Sequence, residues 1–225
     1  MTKPIAFIHN GVWSHHAVAN APKYRPFYEL VYVHDLTPAR LAGFKAAVIP
    51  FQSHQQALAA RRDAIYDLLA RGGKVFVEGD SSPGFIDATW ADRPVNNYWW
   101  VTDPDKPPIA HTDHDHPVYR GLKPRHACWH CHGVYTHMPD HARVIQRNDA
   151  GEVITWQTEA YGGALLVTTL DPFVEHGVQQ IRHLDHYVDN LTQWLCGERP
   201  QGAVEVDWRV GRWQPDMAAF TDARA

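Results

Sequence analysis

Residues 45–77 constrain the fold more than any other stretch of the chain. They open with a short apolar run, KAAVIP. In residues 57–70, Leu58, Ala59, Ile65, Leu68 and Leu69 then recur at helical spacing. Gly72 and Gly73 stop the helix, and KVFV follows at once. Strand, helix, glycine stop and strand is the pattern of a right-handed βαβ unit, which needs a parallel sheet with helices against its faces.

The flanking segments extend that pattern. Residues 3–9 (KPIAFIH) and 27–33 (FYELVYV) read as earlier strands, and 142–146, 153–158 and 164–169 as later ones. A second helix is predicted over 178–195, with Ile181, Leu184, Val188, Leu191 and Leu195 on one stripe. Residues 85–141 hold turn formers, tryptophans and histidines without a helical period. A length of 225 residues suits one α/β domain with a full core. The expected organisation is one domain over residues 1–196, with an elaborated middle at 85–141. A C-terminal extension at 197–225 follows, in which Trp208 and Trp213 predict docking.

Charge narrows the partners. A net −4 with neutral histidines leaves no basic patch, so neither nucleic acid nor an anionic membrane is expected. The N-terminus moves into a short strand rather than a leader, and three cysteines do not make a disulfide framework, so a cytoplasmic protein is expected.

Ligands of open parallel sheets bind outside the carboxyl ends of the strands. That rule brings Asn10, His15, His16, residues 51–54, Glu78, Asp80 and residues 171–176 towards one edge. Half of the sixteen histidines fall between His111 and His141, where Cys128, Cys131 and His132 spell C-x-x-C-H. The string marks covalent haem attachment in exported proteins, and nothing here points to export, so haem is not expected. On a strand, Cys128, His130 and His132 would share a face and Cys131 would point away, so the two thiols would not jointly chelate a metal. Imidazoles with carboxylates at the sheet edge suit a metal better. The turn after KVFV reads V-E-G-D-S-S, with no cysteine before position 128, which excludes a thiol-dependent glutamine amidotransferase.

The series AAVIPF, RGGKVFVEGD, HPVYRGL, HGVY, GALLVTTLDP and LDHYVDNLTQWLCG resembles the trehalose-utilisation (ThuA-like) family of the class I glutamine amidotransferase-like superfamily, over roughly residues 4–196. The resemblance implies a flavodoxin-like three-layer α/β/α sandwich with a mostly parallel central sheet. It also implies a link to sugar utilisation and, in some members, a divalent metal held by histidines and acidic residues. By position, His15 or His16 matches a first-loop histidine, Glu78 and Asp80 lie at the elbow loop, and His132 and Tyr135 fall on an acidic-x-x-Tyr-like motif. Asp171 falls at a Gly-His position.

The leading expectation is a pocket that binds or transforms a small sugar-derived or polyol ligand, with a divalent metal such as zinc as an optional partner. If catalytic, it would be an isomerase or hydrolase using His16, Glu78 and His132. Asn10, His15, Asp80, Trp99, Tyr135 and His176 would contact ligand, and His132, Glu78 and Asp171 would hold the metal. The alternative is a non-catalytic binding or oligomerisation module, and a third reading is a haem or redox protein using Cys128 and Cys131. A homo-oligomer is expected in either of the first two cases.

Overall fold

Apolar runs without polar alternation need cover on both faces, and five of them line up in parallel. The computed structural model describes residues 3–81 and 84–197. The expected extension therefore lies, apart from Gly197, outside the described residues, as do Trp208 and Trp213. In chain order the strands are β1 (Ile5–His9), β2 (Tyr28–Tyr32), β3 (Ala46–Ile49), β4 (Lys74–Glu78), β5 (Thr89–Ala91), β6 (His111–Thr112), β7 (Val134–His137), β8 (Arg143–Arg147), β9 (Val153–Thr158) and β10 (Ala164–Thr168). The sheet runs β2-β1-β3-β4-β10-β9-β7-β5, with β8 also on β9 and β6 on β8. Strands β2, β1, β3, β4 and β10 are mutually parallel. From β9 outward every pairing is antiparallel, so the elaborated middle extends the sheet instead of forming a separate unit.

The helices are α1 (Trp13–Asn20), α2 (Pro38–Leu41), α3 (Gln55–Ala60), α4 (Arg62–Ala70), α5 (Trp99–Thr102), α6 (Pro172–Gln179) and α7 (Asp185–Cys196). They cover both faces of the parallel strands. On one face Leu58, Ile65 and Leu68 pack over Ile8, Val75, Val77 and Val167. On the other, Val18, Phe173, Val188 and Leu191 pack over Phe7, Val48, Phe76 and Leu166. Helix, sheet and helix make the three-layer sandwich. Among the described residues no helix is long and apolar enough to cross a membrane.

Two helix boundaries differ from the periodicity. The helix expected over 57–70 is broken at Arg61 (φ −119°), and its first half starts where the His54 ring accepts the Ala57 N–H at 3.1 Å. The helix expected over 178–195 is two. Helix α6 starts at Pro172 and stops where Gln180 turns left-handed (φ 53°), and a 3-10 turn at Arg182–Leu184 leads into α7. The break lets Ile181 and Leu184 pack on Trp129, a contact that a continuous helix would not make.

Candidate functional site

The site begins where β10 ends. After Thr168 the chain runs beside residues 130–133, which pair with it antiparallel. Cys131 bridges Leu170, the His132 N–H bonds the Thr169 carbonyl at 3.1 Å, and Thr169 Oγ1 donates to the Gly133 carbonyl at 2.7 Å. Asn97 clips the same segment from the other side. Its side-chain oxygen accepts the Cys131 N–H at 2.8 Å and its amide donates to the Cys131 carbonyl at 3.1 Å. Gly133 closes the turn at φ 150°, where an added Cβ would lie 2.5 Å from the Ala91 carbonyl, so a side chain does not fit.

That clamp presents His130 and His132 to Asp171, the residue that precedes α6. The Asp171 side chain is fully buried, whereas the two imidazoles are about a quarter exposed (24% and 23%). Its Oδ1 accepts the His130 backbone N–H at 2.8 Å. Its Oδ2 takes both rings, His130 Nδ1 at 2.8 Å and His132 Nε2 at 2.9 Å. With both rings donating to one oxygen, His130 Nε2 and His132 Nδ1 are left as the basic nitrogens of the neutral imidazoles. Burial pushes the Asp171 carboxyl up, and the imidazole hydrogen bonds more than reverse this, leaving it below its ordinary value. Burial pulls His130 down, and the hydrogen bond and charge of Asp171 overcome that, leaving it raised.

The three residues line an open cleft of roughly 510 Å³ at the carboxyl edge. Phe51, just past β3, stacks on the His132 ring with centroids 4.0 Å apart and forms one wall. Residues 95–98 also line the cleft, with Tyr98 69% exposed, and Glu175 lines it together with Asp171. One imidazole nitrogen from each histidine and one Asp171 oxygen all lie within 4.8 Å of one another. Among the described residues this is the one such group of three able to hold a metal ion.

Of the residues expected from sequence, His132 and Asp171 come together here, and the others lie elsewhere. Glu78 is buried behind the cleft, and its two oxygens accept the N–H groups of Phe173 (2.6 Å) and Val174 (3.2 Å) at the start of α6. Burial, then the charge of Asp171, raises its pKa well above the carboxylate range. Its carboxyl anchors a helix and does not face ligand. His16 meets the His9 ring edge-on at 4.7 Å, outside the cleft. His15 is buried with Nε2 on the Phe51 carbonyl at 2.6 Å, and Asn10 donates to the Gln52 carbonyl at 3.3 Å. These two position the loop that carries Phe51. The Asp80 carbonyl accepts from Gln55, the buried Tyr135 hydroxyl bonds Ser81, buried Trp99 donates to the Trp129 carbonyl, and His176 pairs with Asp185.

Two sequence inferences about residues 128–132 meet different outcomes. His130 and His132 share a side, as strand alternation requires. Cys128 and Cys131, which alternation would put on opposite sides, are both buried in one apolar cluster with Trp99 and Leu170. Burial pushes both thiols up, which keeps them protonated and poor as ligands or nucleophiles. Glu175 lies in the 171–176 segment that the sequence brought to this edge; the functional candidates not singled out from sequence are His130, Tyr98 and Asn97. The alternation of His130 with His132 opposite an aspartate at a strand end was the available signal for the first; Asn97 carried none.

Parallel strands sandwiched by helices, with a polar cleft at their carboxyl ends, make a flavodoxin-like three-layer α/β/α fold. Solved structures with this fold include a cytoplasmic protein of Salmonella typhimurium (TM-score 0.55, 12% identity, 85% of this chain and 98% of that one). A GMP synthase-like chain from Thermoplasma acidophilum is similar too (0.51, 12%, 86% and 96%). So is a ThuA-like chain from Bacteroides uniformis (0.50, 12%, 88% and 92%). At that identity the likeness is one of fold. No protein-family model and no curated protein matches the chain.

Proposed function

We propose that the cleft binds a small sugar-derived or polyol ligand and moves a proton on it, with His130 as the base and Asp171 as the residue that sets its tautomer. The carrying observation is that two imidazoles hydrogen-bond one oxygen of a fully buried carboxylate. A carboxylate behind an imidazole fixes the ring and stabilises the imidazolium formed when the far nitrogen takes a proton. The reaction class this suits is isomerisation or hydrolysis at a carbonyl-bearing sugar. The reading as a non-catalytic module expects polar groups scattered along the edge, and convergence of three on one cleft disfavours it.

A divalent metal such as zinc is a second reading of the same residues, favoured by their mutual approach within 4.8 Å. Two imidazole nitrogens and a carboxylate oxygen are a suitable donor set, and His130, His132 and Asp171 would hold the ion. Bound there, it would polarise a carbonyl or acidify a water. We also propose a cytoplasmic homo-oligomer; sedimentation velocity checks the assembly.

The test is a panel of keto-sugars and polyols followed by NMR for product, with His130→Ala and His132→Ala alongside. Turnover by the wild type that is unchanged in both variants would sink the proton-transfer reading. For the metal, calorimetry with zinc chloride should show binding that Asp171→Asn abolishes; equal binding by both proteins removes that reading.

A further inference from the structure

The cleft has an unbalanced charge. Two carboxylates, Asp171 and Glu175, line it, and no lysine or arginine does. The Asp171 carboxylate is fully engaged by the two imidazoles and a backbone N–H. Glu175 is half-buried and bonds the side-chain amide of Gln179 on its own helix, a neutral partner. Every lysine or arginine ion pair among the described residues goes to a carboxylate other than Glu175. Even with His130 as an imidazolium, it offsets Asp171 and leaves one negative charge over. A partly desolvated carboxylate is costly unless a cation reaches it. The lining suits a cation as well, because Tyr98, largely exposed, and Phe51 both border the cleft, and aromatic faces attract ammonium groups.

We propose that the ligand carries a protonated amine that seats on Glu175 in this aromatic-bordered cleft, making its class amino sugars or amino-polyols, with sugar phosphates and sugar acids refused. The proposal rests on reading the cleft as a polyol site and adds the charge of what enters. An ammonium replaces the missing counter-ion, whereas a phosphate would meet two carboxylates with no lysine or arginine to receive it.

Matched probes decide the matter: glucamine against sorbitol, glucosamine against glucose, and glucose 6-phosphate, each titrated calorimetrically while the His130 and His132 ring resonances are followed. The amine of each pair should bind about tenfold tighter than its neutral partner, the ratio one charge-assisted contact supplies, and the phosphate should not bind. Glu175→Gln should bring amine and alcohol to equal affinity with the neutral probe unchanged. Should that variant misfold, the wild-type preference for amines must instead shrink with added salt. Equal affinities within both pairs overturn this inference and leave the polyol site standing. If no probe moves the imidazole resonances, both fall.

Discussion

At the scale of residues, the site is a contest over one carboxylate. Asp171 is buried at a cost that three hydrogen bonds from residues 130–132 offset. Asp171→Asn keeps the volume but puts an amide N–H where an imidazole N–H must be received. We expect it to lower the stability to urea by about 1–3 kcal/mol, the cost of stranding a buried donor. A midpoint equal to that of wild type would mean that the rings reorient freely. Asp171 could be singled out from sequence because it follows an apolar strand at the carboxyl edge, and His132 because it falls on the resembled acidic-x-x-Tyr-like motif. Glu78 looked equivalent and is not. Its carboxyl turns back to the two N–H groups at the start of α6, and no one-dimensional pattern tells an anchor from a ligand.

Among elements, α6 carries Glu175 and follows directly on Asp171, so whatever seats α6 seats the site. Helix α1 passes so close that a Cβ on Gly177 would lie 2.6 Å from the Val18 Cα. Alanine favours a helix over glycine by about 1 kcal/mol, but this clash is with backbone and cannot be relieved by a rotamer. Gly177→Ala is therefore expected to be destabilising by about 1–3 kcal/mol net, read as a lower melting temperature.

The 3-10 turns at Pro124–Ala127 and Arg182–Leu184, both beside α7, add a pH dependence. Burial, reinforced by the charge of Arg125, holds His126 down at about 4 and His183 at about 3. Both stay neutral in the fold while the unfolded chain takes up protons below its ordinary value near 6.5. Their contribution is thus complete above pH about 6.5 and is lost as pH falls through about 4 for His126 and about 3 for His183. Urea midpoints should drop over that window, and less steeply in His183→Gln. A flat profile would contradict the burial of these rings. Periodicity located α3–α4 and α7 but not α1, α2 or α5, and it missed the break at Gln180, which comes with Ile181 and Leu184 reaching Trp129, a contact more than fifty residues away in sequence.

For the whole molecule, β1, β3, β4, β10 and β9 are buried along most of their length, whereas β5 and β6 at the far rim are not. Hydrogen exchange should find the amides of β3, β4 and β10 slowest and those of β5 and β6 at the far rim fastest; the reverse order would mean that the sandwich is not the stable unit. The βαβ unit at residues 45–77 determined the parallel sheet, because a glycine-stopped helix between two apolar strands packs back onto them in one way. Chain order alone then placed the loops after β1, β3, β4 and β10 at one edge. Tertiary structure decided which side chains at that edge meet. That depends on an irregular segment, residues 130–133, being clamped against the end of β10 by Thr169 and Asn97. Local propensity sets the elements over a few residues, but the meeting of two imidazoles with a carboxylate some forty residues further on is a matter of long-range hydrogen bonds. No neighbouring residue encodes those.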